Sequence, residues 1–299
     1  MSRSTDTVDL LQTLRATLSR SVLKKSRNDR EANSASCAIS RGGQQYWGAK
    51  IESDTNLLDM SSEHVALLRA IQHKDFDIGE VVTLVEGDTS IVSPLSVKIL
   101  VDFGIRAGAV LSYRMVNAHG DTIFQTKNVV HEVPFYHPEL QNLGLTRTAP
   151  EKNWRITEPL KEPEDTLRVH ARQGLALAFP TYVGASSYGA AVITGSGTIY
   201  FGGQYSAPEK RLNIHAEMSA ILAALMEGET VITHLGLISD KFASEPCNLC
   251  GCCRQFIAEL SKKFGWDTSI YCFAKDTRDY VTYTIDALLP YAWSSKQWQ

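Results

Sequence analysis

Two stretches of this chain hold residues whose types and spacing could do chemistry. The first is His215-Ala216-Glu217, which opens the apolar run AEMSAILAALM. The second is a knot of cysteines, Cys247, Cys250, Cys252 and Cys253, which leads into a helical pattern, RQFIAEL. One imidazole and two thiolates from an i, i+3 pair can hold Zn2+ and leave one position for water. Water on such an ion falls in pKa from about 15.7 toward about 7, which makes it a nucleophile at neutral pH. A Glu two residues after the His is placed to carry protons and not to ligate, as in hydrolases that attack an amidine-like ring carbon. Either stretch alone is a weak signal; the two together point to a hydrolytic zinc site. The spacing leaves the thiolate pair open, because Cys247/Cys250 and Cys250/Cys253 are both C-x-x-C.

Composition supports a globular protein with reduced thiols. Four of the six cysteines fall between 247 and 253, and such crowding suits a metal better than disulfides. Cys37 and Cys272 stand apart and read as small buried residues. The N-terminal residues lack the apolar core of a signal peptide, and no apolar run is long enough to span a bilayer. A cytoplasmic location is therefore expected, where thiolates stay available to zinc. The net charge of −3 gives no electrostatic footprint for nucleic acid. The basic residues Lys24, Lys25, Arg27 and Arg30 are interrupted by Asp29 and Glu31 and read as a solvated helix end.

The elements that must position the site follow from hydrophobic periodicity. Val8, Leu11, Leu14, Leu18 and Val22 share one helical face, so an amphipathic helix is expected over 8–23. Strands are expected at 35–40 and 44–51, with Gly42-Gly43 as their turn. A helix from Ser61, a buried strand VVTLVEG and a helix PLSVKILVDFG come next. The same order then returns: a helix near 166–178, a hairpin YGAAVITGSGTIYFGGQY, the helix HAEMSAILAALMEG, the strand VITHLGLIS, and the cysteine loop with its helix. The strands TSIYCFAK and YVTYTI close the chain.

The recurrence is arithmetical. Glu217 lies 154 positions after Glu63, and the same offset pairs Ile39 with Ile193, Gly43 with Gly197, Tyr46 with Tyr200 and Gly48 with Gly202. It also pairs Ala66, Leu68 and Ala70 with Ala220, Leu222 and Ala224, and at an offset of 156 Pro134 faces Pro290. The chain reads as a tandem duplication of one βα domain. The Pro-, Glu-, Lys- and Thr-rich stretch 140–165 reads as the linker. The division expected is residues 1–153 and 154–299.

The second half resembles the cytidine deaminases. Cys250-Gly251-Cys252-Cys253-Arg254-Gln255 is similar to that family's C-G-x-C-R-Q, and His215-Ala216-Glu217 to its [H/C]-A-E. YGAAVIT with GTIYFGG resembles its V-G-A-A hairpin, and IDALLPYAW its C-terminal L-L-P segment. The resemblance implies an α/β fold class: two tandem cytidine-deaminase-like α/β/α sandwiches, each a mixed central sheet flanked by helices. It implies Zn2+ held by His215, Cys250 and Cys253, with Cys247 as the alternative ligand, and Glu217 as the catalytic proton carrier. It places substrate binding at Ala216 and at Gln204 and Ser206, where the family has a ribose-gripping N-x-E segment. The family's base-facing aromatic falls near Ser186. The activity implied is deamination of a cytidine- or deoxycytidine-type nucleoside to its uridine form, with release of ammonia. A modified cytosine nucleoside or a nucleotide is the alternative substrate, and an idle zinc-stabilised binding protein the alternative role.

The first half resembles the family degenerately. Ser61 stands at the His position, and the family's S-P-C-G-x-C-R-Q appears as Ser93-Pro94-Leu95-Ser96-Val97-Lys98-Ile99-Leu100. That alignment puts Leu95 and Lys98 at the ligand positions, so residues 1–153 are expected to be a pseudo-domain. His64 reads as an ordinary helix residue, and Lys50-Ile51-Glu52 occupies the place of N-x-E. Double-domain bacterial members pair an active with a dead copy in the opposite order. In the family, active sites lie near subunit interfaces; a fused copy would supply one in cis, which implies a homodimer.

Overall fold

The computed structural model describes residues 3–23, 32–55, 57–87, 92–132, 142–145, 155–157 and 162–293. Packing divides the chain into two compact units, Met1–Glu52 with Asp59–Pro150 and Ser53–Leu58 with Glu151–Gln299. No feature of the sequence announced that Ser53–Leu58 would group with the second. Among the described residues no helix is long and apolar enough to cross a membrane.

The first unit runs α1 (Arg3–Leu18), β1 (Ser34–Ser40), β2 (Gln45–Ala49), α2 (Ser62–Gln72), β3 (Ile78–Val85), α3 (Pro94–Ala107), β4 (Ser112–Val116), β5 (Thr122–Thr126) and α4 (Val129–Glu132). The sheet order is β2-β1-β3-β4-β5; β3 and β4 are parallel and the other pairs antiparallel. Leu10 and Leu14 of α1 pack on Ala35, Cys37, Val82, Leu84 and Val116 across one face. The helix α2, buried along its whole length, packs on β1 and β2 and against α3. It approaches β2 at Gly48, where a Cβ would stand 2.3 Å from the Ala66 nitrogen. The opening helix stops at Leu18 and not at 23. Val22, expected on its face, is buried instead in a bridge to Ile51.

The second unit runs β6 (Arg155–Thr157), α5 (Pro163–Leu175), β7 (Tyr188–Thr194), β8 (Thr198–Gly203), a 3-10 turn (Lys210–Leu212), α6 (Ala216–Met226), β9 (Ile232–Ser239), α7 (Gly251–Phe264), β10 (Ser269–Phe273), β11 (Tyr280–Tyr283) and α8 (Ile285–Leu288). Its sheet order is β11-β10-β9-β7-β8-β6. Without β6 and read from β8, this is the first unit's order, with β9 and β10 as the parallel pair. Leu167 and Ala171 of α5 cover one face with Ala191, Ile193, Phe201, Ile238 and Phe273. Each unit is thus an α/β/α sandwich around a mixed sheet.

The likeness extends to irregularities. Ile39 pairs Glu80 and Ser40 pairs Ile78, with a bulge between; Ile193 pairs His234 and Thr194 pairs Ile232, with the same bulge. Each position is 154 residues from its counterpart. Beyond the third strand the offset becomes 157: Pro94–Ala107 matches Gly251–Phe264, and the left-handed C-cap glycines are Gly108 (φ 65°) and Gly265 (φ 70°). The loop leading into α7, which carries Cys247 and Cys250, is therefore longer by three residues.

Part of the expected linker forms β6, which pairs with β8, and α5 begins at Pro163 within the same stretch; most of the remainder lies outside the described residues. So do the basic cluster 24–31 and Pro134.

Candidate metal centre

Two helix starts meet in the second unit. His215 is the N-cap of α6 and Cys250 the N-cap of α7, and neither side chain makes a capping hydrogen bond. Cys253 sits one turn into α7 and is buried. His215 Nδ1 lies 3.3 Å from Cys250 Sγ and 3.3 Å from Cys253 Sγ, and the two sulfurs are 3.6 Å apart. Ligands around one tetrahedral zinc, with bonds of about 2.0–2.3 Å, stand roughly 3.5–3.8 Å from one another. One imidazole and two thiols at these separations fit that ion.

The charges also fit. Hydrogen bonding from the Cys253 thiol, then from His215, pulls Cys250 far below the ordinary thiol range. Burial, then the hydrogen bond with Cys250, pushes Cys253 up. The bond to Cys250 raises His215 against its desolvation. An acidic thiol beside an imidazole, at the positive ends of two helix dipoles, is a place where a cation can replace protons.

Cys247 lies elsewhere. Its Sγ is 3.3 Å from the Leu237 carbonyl oxygen, and burial pushes its thiol up to about 12. Of the two C-x-x-C pairs, the structure brings Cys250 and Cys253 to His215. Cys252 is exposed on α7, and Cys37 and Cys272 are buried. Arg254, the Arg of C-R-Q, fixes the cysteine loop: it donates to the Leu249 carbonyl (3.0 Å), Asn248 Oδ1 (3.2 Å) and the Leu288 carbonyl (3.1 Å).

Glu217 is 3 % exposed, in the first turn of α6. Burial pushes its carboxyl above the usual carboxylate range, against the pull of His215. Ala216 is fully buried. Gln204 and Ser206 are half-buried on the strand exit after β8. The Gln204 amide donates to the Ser186 carbonyl at 3.0 Å, so the residue expected to grip a sugar is engaged with the position expected to face a base. The Ser206 N–H donates to the Phe179 carbonyl at 2.9 Å.

The first unit corrects the sequence alignment. With the 157 offset, Cys250 corresponds to Ser93 and Cys253 to Ser96, and not to Leu95 and Lys98. The sequence comparison aligned Ser93-Pro94 with a motif that precedes a helix, whereas Pro94 is itself the first residue of α3. Three serines, Ser61, Ser93 and Ser96, thus occupy the places of His215, Cys250 and Cys253. Ser61 caps α2 through the His64 N–H (3.3 Å), and Ser93 caps α3 through the Leu95 N–H (3.2 Å). Ser96 donates to Glu63 Oε2, and Thr83 and Tyr113 donate to Glu63 Oε1, each at 2.9 Å. The carboxylate matching Glu217 is held by three hydroxyls. Lys50 and Glu52, where the family has N-x-E, form a buried ion pair at 3.2 Å. The signal for Ser93 and Ser96 was the length of the loop, which no motif carries.

Residues 176–265 match the family model of the cytidine and deoxycytidylate deaminase zinc-binding region. Among solved structures, the chain is similar to a cytidine deaminase from Burkholderia pseudomallei, with 24% identity and a TM-score of 0.39 over 43% of this chain and 98% of that one. It is also similar to a cytidine deaminase from Mycobacterium tuberculosis, with 23% identity and a TM-score of 0.37 over 45% and 100%. A third, from Bacillus anthracis, gives 21% identity and a TM-score of 0.33 over 44% and 90%.

Proposed function

We propose that the second unit is a zinc-dependent hydrolytic deaminase of a cytidine- or deoxycytidine-type nucleoside, giving the uridine form and ammonia. The carrying observation is the His215, Cys250 and Cys253 cluster with buried Glu217 in the next turn, inside the region that matches the zinc-binding family model.

His215, Cys250 and Cys253 would hold the ion, which supplies the Lewis acidity that makes water nucleophilic near neutral pH. Glu217 takes the proton that the attacking water gives up and passes it to the ring nitrogen; it then takes the proton of the new hydroxyl on the ring carbon and passes it to the exocyclic amine, which leaves as ammonia while that carbon becomes a carbonyl. Burial of Glu217 suits this role, since a carboxyl raised toward neutrality both accepts and returns a proton. Gln204 and Ser206, on the exit from β8, would meet the sugar. Ser206 offers no carboxylate there, so the substrate's sugar is held by fewer charge-assisted hydrogen bonds.

Ammonia release from cytidine, deoxycytidine, CMP and cytosine by zinc-loaded protein tests the proposal. Release from the nucleosides is expected; silence across the panel with zinc present rules it out. Glu217→Gln should keep its zinc and lose roughly 100-fold or more in turnover. Cys253→Ser should lose the metal and Cys247→Ser retain it, as read by elemental analysis; the reverse would exchange the two cysteines' roles.

A further inference from the structure

At the 157 offset, Val97 of α3 matches Arg254 of α7. In the second unit that Arg side chain fills the gap between the cysteine loop and α8. Its guanidinium donates to the Leu249 carbonyl on one side and to the Leu288 carbonyl on the other. In the first unit the much shorter Val leaves the matching gap open. A cavity of about 240 Å³ stands there, between Val92, which matches Leu249, and Val129 of α4. Leu100, Tyr113 and Val129 are buried and make its floor. Val97 and Phe124 are half-buried and stand at its mouth.

The walls are apolar. Among the described residues that line the cavity none is charged, and two carry hydroxyls. Both hydroxyls are engaged: Tyr113 donates to Glu63 Oε1 at 2.9 Å, and Thr126 donates to Glu132 Oε2. A water inside would need several polar partners, and cavities without them stay dry. An apolar cavity of about 150 Å³ binds benzene, so this one has room for a somewhat larger ring.

We propose that this cavity of the first unit is a binding site for a small uncharged molecule, mostly hydrocarbon, of the size of one ring or two fused rings. The occupant is small because one side chain fills the matching space in the second unit. It is uncharged because a charge placed among these walls loses its hydration and gains no counter-charge. The site lies apart from the candidate metal centre and does not depend on the deaminase reading.

Titration of the full chain with indole, followed by calorimetry, tests the proposal. The wild type is expected to saturate a single site with a Kd that is millimolar or tighter, and indole should raise its Tm. Val97→Phe fills the cavity with a ring of the chain's own. It should weaken indole binding about 10-fold or more, as steric mismatch in an apolar pocket does, and keep at least the wild-type Tm. Where Val97→Phe fails to fold, Val97→Met reaches into the same space with a flexible chain and is read the same way. A wild type that binds no indole overturns the proposal, as does undiminished binding in the folded variant. Toluene should bind at least about 10-fold more tightly than its charged analogues benzoate and benzylammonium; equal binding by either analogue overturns the uncharged class.

Discussion

A serine at the start of a helix stabilises it because its hydroxyl accepts one of the otherwise unbonded backbone N–H groups. Ser61 and Ser93 do this in the first unit. His215 and Cys250, at the same positions in the second, do not. Each helix start there forgoes about 1 kcal/mol of capping, which ion binding would offset. In metal-free protein the double variant His215→Ser, Cys250→Ser should therefore gain about 1–2 kcal/mol in urea unfolding while taking up no zinc; a loss of stability would contradict the capping argument. Glu63 is the opposite case. Glu63→Leu leaves the hydroxyls of Thr83, Ser96 and Tyr113 without their acceptor and should cost about 3 kcal/mol or more, with zinc content unchanged.

At the scale of elements, most of the fold was legible because the duplication repeats its strand and helix patterns at a fixed offset, down to the glycine turn at 43 and 197. The cysteine knot was legible because thiols so close have few other uses, and of its four the structure brings Cys250 and Cys253 to His215. The hairpin of β4 and β5 in the first unit was not, since SYRMV and TIFQT alternate too briefly to stand out. The three-residue gain before α7 was hidden too, because a loop has no period to count. It displaced the first-half ligand positions from Ser93 and Ser96. Close packing of α2 on β2 allows a test: Gly48→Ala drives a methyl into the Ala66 and Ser62 backbone and should cost at least about 1–3 kcal/mol, seen as a lowered Tm. On β9, burial lowers the pKa of His234, so the fold prefers the neutral ring. That contribution is present above about pH 6.5 and is lost as the pH falls through the lowered value. The urea midpoint should drop less between pH 7 and pH 5 in His234→Gln than in the wild type; equal drops would remove His234 as a cause.

At the scale of the whole molecule, one unit carries hydroxyl networks where the other carries a candidate metal centre, and the two should answer differently to chelation. Stripping zinc is expected to lower the unfolding transition of the second unit and leave that of the first in place, because a ligand that binds only the folded form stabilises that form alone; calorimetric scans with and without chelator would show it. The homodimer implied by the family resemblance is checked by sedimentation, where a stable monomer at micromolar concentration would count against it. The serine caps and the Glu63 network have a further consequence for how such a chain matures. The first unit's caps and network need no ion, whereas the second unit, with zinc bound as proposed, would gain stability with the ion's supply. Under zinc starvation the second unit would open more often and meet proteases sooner, so the proposed metal would govern how long the chain survives as well as what it does.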